Sequence, residues 1–196
     1  MKERFFLGVL VFLFFGCASS RIEKSDFCMM NPVYITNSKR ISLLPPECIA
    51  NPKNAQQFLS GSYGEKEFSF LCYLDADKNG IFLSLYNVFG TGMGNLSYDG
   101  KSVFFDSAVF PKNAKAEYIV ADLQFAYYSA ESLDFALKNA GLILLTEVQE
   151  SGGIKKEVRK IMDGKKCVAE IEISEKSVIF RNFLRKYSYN LEEVAE

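Results

Sequence analysis

Cysteine is the residue type with the widest chemical options in this chain, because the sequence contains no histidine. The absence of histidine removes the usual general base at neutral pH and the commonest metal ligand. No Cys-x-x-Cys pair is present either, so we expect neither a metal site nor a cofactor. The five cysteines are Cys17, Cys28, Cys48, Cys72 and Cys167.

Disulfide bonds are one chemistry open to the last four cysteines if the chain is exported. Four thiols can pair in three ways, and the sequence does not choose among them. Cys28 and Cys48 both lie in irregular sequence that a disulfide would constrain. Cys72 and Cys167 fall inside predicted strands, where they are equally consistent with small buried hydrophobic residues.

The segment DADKNG, from Asp75 to Gly80, matches the start of a calcium-binding loop. The twelfth position of such a loop needs a bidentate glutamate, but here that position is Tyr86. We therefore predict a hairpin turn at this segment, since Asp, Asn and Gly are typical turn residues. The chain also has no G-x-S-x-G motif and no histidine to activate a serine, so we expect the protein not to be an enzyme.

The N-terminus has the order of a targeting segment. A charged start is followed by an apolar run, Phe5 to Phe15, which is shorter than the roughly 20 residues that span a bilayer and suits a secretory signal. Gly16 and Cys17 follow, and this order resembles a bacterial lipoprotein signal. The resemblance implies cleavage after Gly16, acylation of Cys17 and anchoring in a membrane; Ala18 resembles the default signal for the outer membrane. The alternative is a simple secretory signal with an incidental cysteine.

Composition divides the chain into a signal peptide at residues 1–16, a tether and lead-in at 17–52 and one folded domain at 53–196. The tether is rich in Ser, Asn, Lys and Pro, which disfavour regular structure. The 23 basic and 24 acidic residues balance, so we expect no nucleic-acid partner.

Apolar residues alternate along much of the domain, with the period of β-strands. This pattern predicts a strand from Ala55 to Gly61 and four more between Glu65 and Asp106, separated by turns at Asp77–Gly80 and Asp99–Gly100. Further strands are predicted at residues 142–148, 154–162, 167–173, 177–183 and 187–194.

The period becomes helical between residues 114 and 141. Two short amphipathic helices are predicted, with Ser129 as the N-cap of the second and Gly141 as its end. The order of strands, two helices and strands indicates an α+β fold with an antiparallel sheet that the helices cover.

The connection from Asn87 to Gly94 combines glycines with Val88, Phe89 and Met93. Bulky apolar residues beside glycines suit a loop that enters a membrane or a ligand. An ordinary hairpin with half-buried hydrophobic residues explains the same pattern equally well.

Most of the chain after the signal resembles an uncharacterised family of small bacterial lipoproteins that often lie beside aryl-polyene biosynthesis genes. The resemblance rests on LLPP at 43–46, the loop at 87–100, the helical segment at 118–141 and the runs at 158–162, 168–173 and 177–189. That family is similar to LolB and LolA, the outer-membrane receptor and periplasmic carrier for lipoproteins. The resemblance implies a curved antiparallel half-barrel whose apolar concavity holds acyl chains under a helical lid, and a membrane loop at Val88, Phe89 and Met93.

We therefore expect a monomeric lipoprotein, anchored in the outer membrane by its N-terminal acyl chains, that binds or transfers a lipid, lipoprotein acyl chains or a polyene. For every candidate ligand-binding residue, ordinary core packing is the alternative. A surface-exposed antigen or interaction scaffold without bound lipid is the alternative function. The candidate ligand-binding residues are Phe68, Phe70, Leu83, Leu85, Phe104, Leu123 and Leu137.

Overall fold

The computed structural model describes residues 32–108, 115–151 and 153–194. The signal segment, Cys17 and Cys28 lie outside these residues, and so do the predictions made for them. A short 3-10 helix occupies Pro46–Cys48, and the α-helices are α1 (Ala116–Tyr127) and α2 (Ala130–Asn139). The strands are β1 (Val33–Tyr34), β2 (Arg40–Ile41), β3 (Lys53–Tyr63), β4 (Lys66–Asp77), β5 (Gly80–Tyr86), β6 (Gly92–Tyr98), β7 (Val103–Ser107), β8 (Ile143–Ser151), β9 (Ile154–Asp163), β10 (Lys166–Ile173), β11 (Ser177–Asn182) and β12 (Tyr187–Glu193).

Ten of these strands form one antiparallel sheet, in the order β7-β6-β5-β4-β3-β12-β11-β10-β9-β8. Strands β3 to β7 make one meander and β8 to β12 make another. The two meanders join where β3 pairs with β12, for example through Leu59 and Leu191. The sheet is open, with β7 and β8 at its two edges. The predicted α+β antiparallel architecture is confirmed at this level.

The two faces of the sheet differ because side chains alternate along each strand. One face, here called the inner face, carries buried residues such as Leu74, Leu83 and Leu96, which are cross-strand neighbours and share one core with α1. The opposite side, called the outer face, carries exposed aromatic residues such as Phe82 and Phe104. The hydrophobic core therefore lies between the inner face and the helices.

The helical pair lies where the sequence predicts it. The hydroxyl of Ser129 accepts a hydrogen bond from the amide of Ser132 at 3.1 Å, as expected of an N-cap. Gly141 follows α2 with φ of +72°, a conformation that glycine adopts without strain. Both predicted ends of α2 are confirmed.

Helix α1 is not amphipathic, which corrects the prediction made for it. Nine of its twelve residues are buried, including the polar Asp122 and Gln124. The reason is the segment of residues 32–51, here called the strap, which packs against both α1 and the sheet. The strap contributes Val33, Ile41 and other buried residues to the same core.

Backbone hydrogen bonds hold the strap to the end of α1. The amides of Ala50 and Asn51 both donate to the carbonyl of Tyr127 at 3.0 Å, and the amide of Ser129 donates to the carbonyl of Cys48 at 2.9 Å. An isolated bridge between Ile49 and Tyr128 completes this contact. These contacts join the strap to the end of α1.

The DADKNG segment forms a hairpin turn between β4 and β5. The carboxylate of Asp77 accepts hydrogen bonds from the amide and side chain of Asn79, at 2.7 and 2.8 Å. These hydrogen bonds lower the pKa of Asp77. The carboxylate therefore caps the turn, as the turn prediction requires.

Candidate functional site

Six of the seven candidate ligand-binding residues lie on the helix side of the sheet. Leu83 and Leu85 are buried on the inner face of β5, and Phe68 and Phe70 are half-buried on the inner face of β4. The remaining two of the six belong to the helices, and both are buried: Leu123 of α1 and Leu137 of α2.

Phe104 is not brought together with the other six. It lies on the outer face of β7 and is 61% exposed. Its neighbours Val103 and Phe105 face inward instead, because they pair with Tyr98 and Leu96 of β6. The sequence VFFD has apolar residues in both alternation phases, so the pattern alone does not fix the inward phase.

Phe68 and Phe70 form a stacked aromatic pair, with ring centroids 6.2 Å apart. The ring of Phe68 lies over Gly61 of β3, where a Cβ atom would come within 2.7 Å of it. Tyr189 of β12 is the cross-strand partner of Gly61 and is also half-buried. We call Phe68, Phe70 and Tyr189 the mouth residues, since they are apolar inner-face residues that the helices leave partly exposed.

Helix α1 packs against the inner face of the sheet and shares one core with it. A void of about 10 Å³ remains between the strap, α1 and the sheet, and its lining includes Tyr34, Tyr118 and Phe180. Such a volume suits at most one water molecule. A long apolar ligand can therefore lie along the part of the inner face beneath α1 only if α1 moves away from the sheet.

A buried polar cluster lies beside this void. The hydroxyl of Tyr187 donates to the carboxyl of Asp122 at 2.6 Å. Burial raises the pKa of Asp122 to about 8, although the hydrogen bond from Tyr187 and the charge of Arg185 oppose the shift. The guanidinium of Arg185 lies 4.8 Å from the ring centroid of Tyr118 and also donates to the carbonyl of Tyr34 in the strap. The cluster thus links the strap, α1 and the β11–β12 hairpin.

Two further polar side chains fix α1. The side-chain amide of Gln124 accepts from the backbone amide of Leu44 at 3.0 Å and donates to its carbonyl at 2.7 Å. Arg159, buried on β9, donates to the carbonyls of Phe125 and Tyr128 at 2.9 and 2.8 Å. A cation is favourable at this end of a helix, where the carbonyl groups carry partial negative charge.

The cysteines of the described region are free thiols: Cys48, Cys72 and Cys167. Burial raises the pKa of Cys72 to about 12, so its thiol stays protonated at neutral pH. Cys72 lies on the inner face of β4 within the core, which agrees with the alternative that it is a small buried hydrophobic residue.

The loop predicted to meet a membrane is a hydrogen-bonded turn between β5 and β6. The side chain of Asn87 accepts from the amides of Phe89 and Thr91, both at 2.9 Å. At the tip of the turn, Phe89 is 89% exposed and Val88 is 67% exposed. Met93 lies away from the tip, on β6, where it is half-buried against the core.

The turn at Phe89 lies at the end of the sheet that also carries the turns after β3, β9 and β11; we call it the tip end. Tyr63 and Phe183 are two further exposed aromatic residues beside these turns, 63% and 48% exposed. Sequence reasoning missed both, although an aromatic residue directly before a turn is a recognisable signal in Tyr63-Gly64. Exposed lysines surround them, namely Lys66, Lys165, Lys166 and Lys186.

The opposite end of the sheet has a different character. Two of its turns are capped by carboxylates, since Asp99 accepts from the amides of Lys101 and Ser102 just as Asp77 caps its own turn. Exposed aromatic residues beside the turns at one end and two carboxylate-capped turns at the other distinguish the two ends of the sheet.

An open antiparallel sheet with two helices on its inner side and exposed aromatic residues at its tip end defines a small α+β protein. The family described as "Protein of unknown function (DUF3261)" matches residues 54–195, and the chain belongs to this family. The match spans β3 to β12 and both helices, and the strap precedes it. No curated protein matches the sequence.

The described part of the chain contains neither a membrane-spanning helix nor a metal-binding cluster. None of the helices in residues 32–108, 115–151 and 153–194 is long and apolar enough to cross a bilayer. The same residues contain no group of three or more Cys, Asp or Glu side chains placed to hold a metal ion.

Proposed function

We propose that this protein is a membrane-anchored lipoprotein, acylated at Cys17, that binds or transfers a hydrophobic ligand at the outer membrane. The ligand class is a lipid, the acyl chains of a lipoprotein or a polyene. The observation that carries the proposal is the exposure of Phe89 at the tip of an ordered turn, because water gives such a side chain no stabilisation.

The tip end suits contact with a lipid surface. Val88, Phe89, Tyr63 and Phe183 offer aromatic and aliphatic groups that partition into the interfacial region of a bilayer. Each lysine near an anionic surface adds about 1 kcal/mol of attraction. Four exposed lysines at the same end therefore favour negatively charged lipid.

Ligand binding in this proposal begins at the mouth residues, which are apolar, half-buried and on the face that α1 covers. Burial of apolar surface stabilises a complex by roughly 25 cal/mol per Å², so an acyl chain needs no charged partner. A longer chain enters as α1 moves away from the inner face and exposes Leu83 and Leu85. Phe68 and Phe70 are the first residues that it contacts.

Native mass spectrometry of the full chain, purified from its own host, tests ligand binding. We expect an added mass that organic extraction removes, in contrast to the covalent acyl chains on Cys17. Phe70→Ser should reduce the bound fraction, and Phe104→Ser should leave it unchanged because Phe104 lies on the outer face. A protein that is always isolated without ligand, or an equal loss in both variants, contradicts the proposal.

The anchor is tested separately. Cys17→Ser should abolish labelling by a palmitate analogue and move the protein to the soluble fraction. Labelling that persists in this variant would refute acylation at Cys17.

An interaction scaffold on the cell surface is a second candidate function, favoured by an apolar row on the outer face. Phe58 pairs with Leu71, and Leu71 with Tyr86, and all three side chains are partly exposed. A scaffold would be cleaved by protease on intact cells and would carry no extractable lipid. The mass measurement on the Phe70 and Phe104 variants therefore distinguishes the two functions.

A further inference from the structure

The outer face carries a groove at the junction of the two meanders, far from the helices. It is an open depression, and the space above its lining residues is about 660 Å³. Its lining includes Gly61, Phe68 and Tyr189, which belong to the inner-face register, and two rows of outer-face side chains. One row is Ile179, Asn190, Ser60 and Ser69, and the other is Arg181, Ser188, Ser62 and Glu67.

Small side chains produce the concavity. The central positions of both rows are Ser60, Ser62, Ser188 and Asn190, on the neighbouring strands β3 and β12. The next row on this face contains Phe58 paired with Leu71, which rise beside the serines. The groove is therefore a hydroxyl-lined depression with an apolar border.

The polar groups of the groove have hydrogen-bonding capacity to spare. The hydroxyls of Ser62 and Ser188 lie 3.4 Å apart, longer than a normal bond between two hydroxyls. The side-chain oxygen of Asn190 is buried and has no hydrogen-bond partner among the described residues, so a ligand reaches it only if the Asn190 side chain turns outward. Hydroxyl and amide groups accept and donate, so they match a ligand that carries many hydroxyls.

The charges of the groove disfavour other ligand classes. Arg181 is the one cation among the lining residues, and it is already paired with Glu170 and Glu172. Glu67 adds a negative charge, so a phosphate-rich polymer gains little attraction. An acyl chain would bury the serine hydroxyls without partners, which is unfavourable.

We propose that this groove binds a neutral oligosaccharide. The serine hydroxyls and the Asn190 amide would bond sugar hydroxyls, while Phe58 would contact the apolar C–H face of a ring. Phe68 and Tyr189 line the groove as well as the mouth, but the serine, asparagine and charged side chains of the groove belong to the opposite face of the sheet from the mouth side chains.

Saturation-transfer NMR on the full chain tests the assignment, in a detergent without a sugar headgroup. The probes are chitotetraose, cellotetraose and maltotetraose, together with a panel of neutral tetrapeptides. We expect at least one tetrasaccharide to bind. Ser60→Leu and Ser188→Leu, which fill the groove, should each weaken that binding at least tenfold.

Ser97→Leu is the matched control, since Ser97 lies on the same outer face but on β6, between Phe82 and Phe104. It should leave binding unchanged. Circular dichroism checks the fold of each variant. If one groove variant does not fold, the binding of the other groove variant tests the proposal. The proposal is overturned if no tetrasaccharide binds, if folded groove variants bind like the parent, or if groove-dependent binding is confined to the peptides. Lipid retention, which the Phe70 variant probes, should not change in the groove variants.

Discussion

Asp122 shows how one buried carboxyl couples stability to pH. Its pKa is raised to about 8 in the folded protein, above the value of about 3.9 for an unfolded chain. The folded state therefore binds the proton more tightly. The stability from this group is fully present below about pH 4 and is lost as the pH rises towards 8.

Asp122→Asn should remove this loss, because an amide carries no charge and keeps an acceptor oxygen for the hydroxyl of Tyr187. We expect the variant to melt about 3 °C or more above the parent at pH 8. At pH 5 the difference in melting temperature between the variant and the parent should be smaller. Asp106→Asn, at an exposed position on β7, is the control and should melt like the parent at both values. An equal melting temperature of the Asp122 variant and the parent at pH 8 would show that burial does not hold the proton on Asp122.

For single residues, the sequence predicts which side chains alternate along a strand better than it predicts what surrounds each side chain in the fold. The inner-face positions Leu83 and Leu85 are predictable because their neighbours in β5 alternate. The face on which Phe104 lies is not predictable in this way, since both sets of alternating positions in VFFD contain apolar residues. Only the register with β6 decides which set faces inward. Helical periodicity puts Asp122 on the polar side of a helix, but in the structure it lies against Tyr187 and Arg185, which are distant in sequence.

Strand β3 depends on a glycine where it meets β12. A Cβ atom at Gly61 would lie 2.4 Å from the backbone oxygen of Ser188 and 2.7 Å from the ring of Phe68. Backbone cannot move aside as a flexible side chain can. Gly61→Ala should therefore lower the free energy of unfolding by about 2 kcal/mol or more.

Gly92→Ala is the matched control for Gly61→Ala. Gly92 lies on β6, and a Cβ atom added there would meet nothing within 4 Å, so alanine fits. The change should be neutral or slightly stabilising, since alanine restricts the unfolded chain. Chemical denaturation of both variants measures the difference. Equal stability of the two would mean that β3 and β12 are less closely apposed than the structure indicates.

Among the helices and strands, local patterns predict most of the sheet and both helices, because alternation, turn residues and a serine cap are local signals. The same patterns place the strap in a tether and lead-in, since its prolines and polar residues give no period. Its position over α1 depends on contacts such as Gln124 with Leu44, eighty residues apart in sequence. The apolar run at residues 41–46 indicates that this segment docks onto the domain, but it does not indicate which surface it contacts.

Across the molecule, the pairing of β3 with β12 joins the two meanders into one sheet with one shared core. We expect a single cooperative unfolding transition, with secondary structure and aromatic packing lost together. Far-UV circular dichroism measures the loss of secondary structure, and near-UV circular dichroism measures the loss of aromatic packing, during the same thermal scan. Separate transitions would indicate that the meanders fold independently.

The tip end is proposed to meet a membrane, and Phe89 tests this claim most directly. A chain that begins at residue 18, without the proposed anchor, should bind vesicles of phosphatidylethanolamine and phosphatidylglycerol. Phe89→Glu should weaken that binding and leave the melting temperature unchanged, because Phe89 is 89% exposed and a charge is unfavourable among acyl chains. Phe135→Glu, at an exposed position on α2, should change neither property. A large fall in the melting temperature of Phe89→Glu, or vesicle binding equal to that of the parent, would contradict the membrane contact.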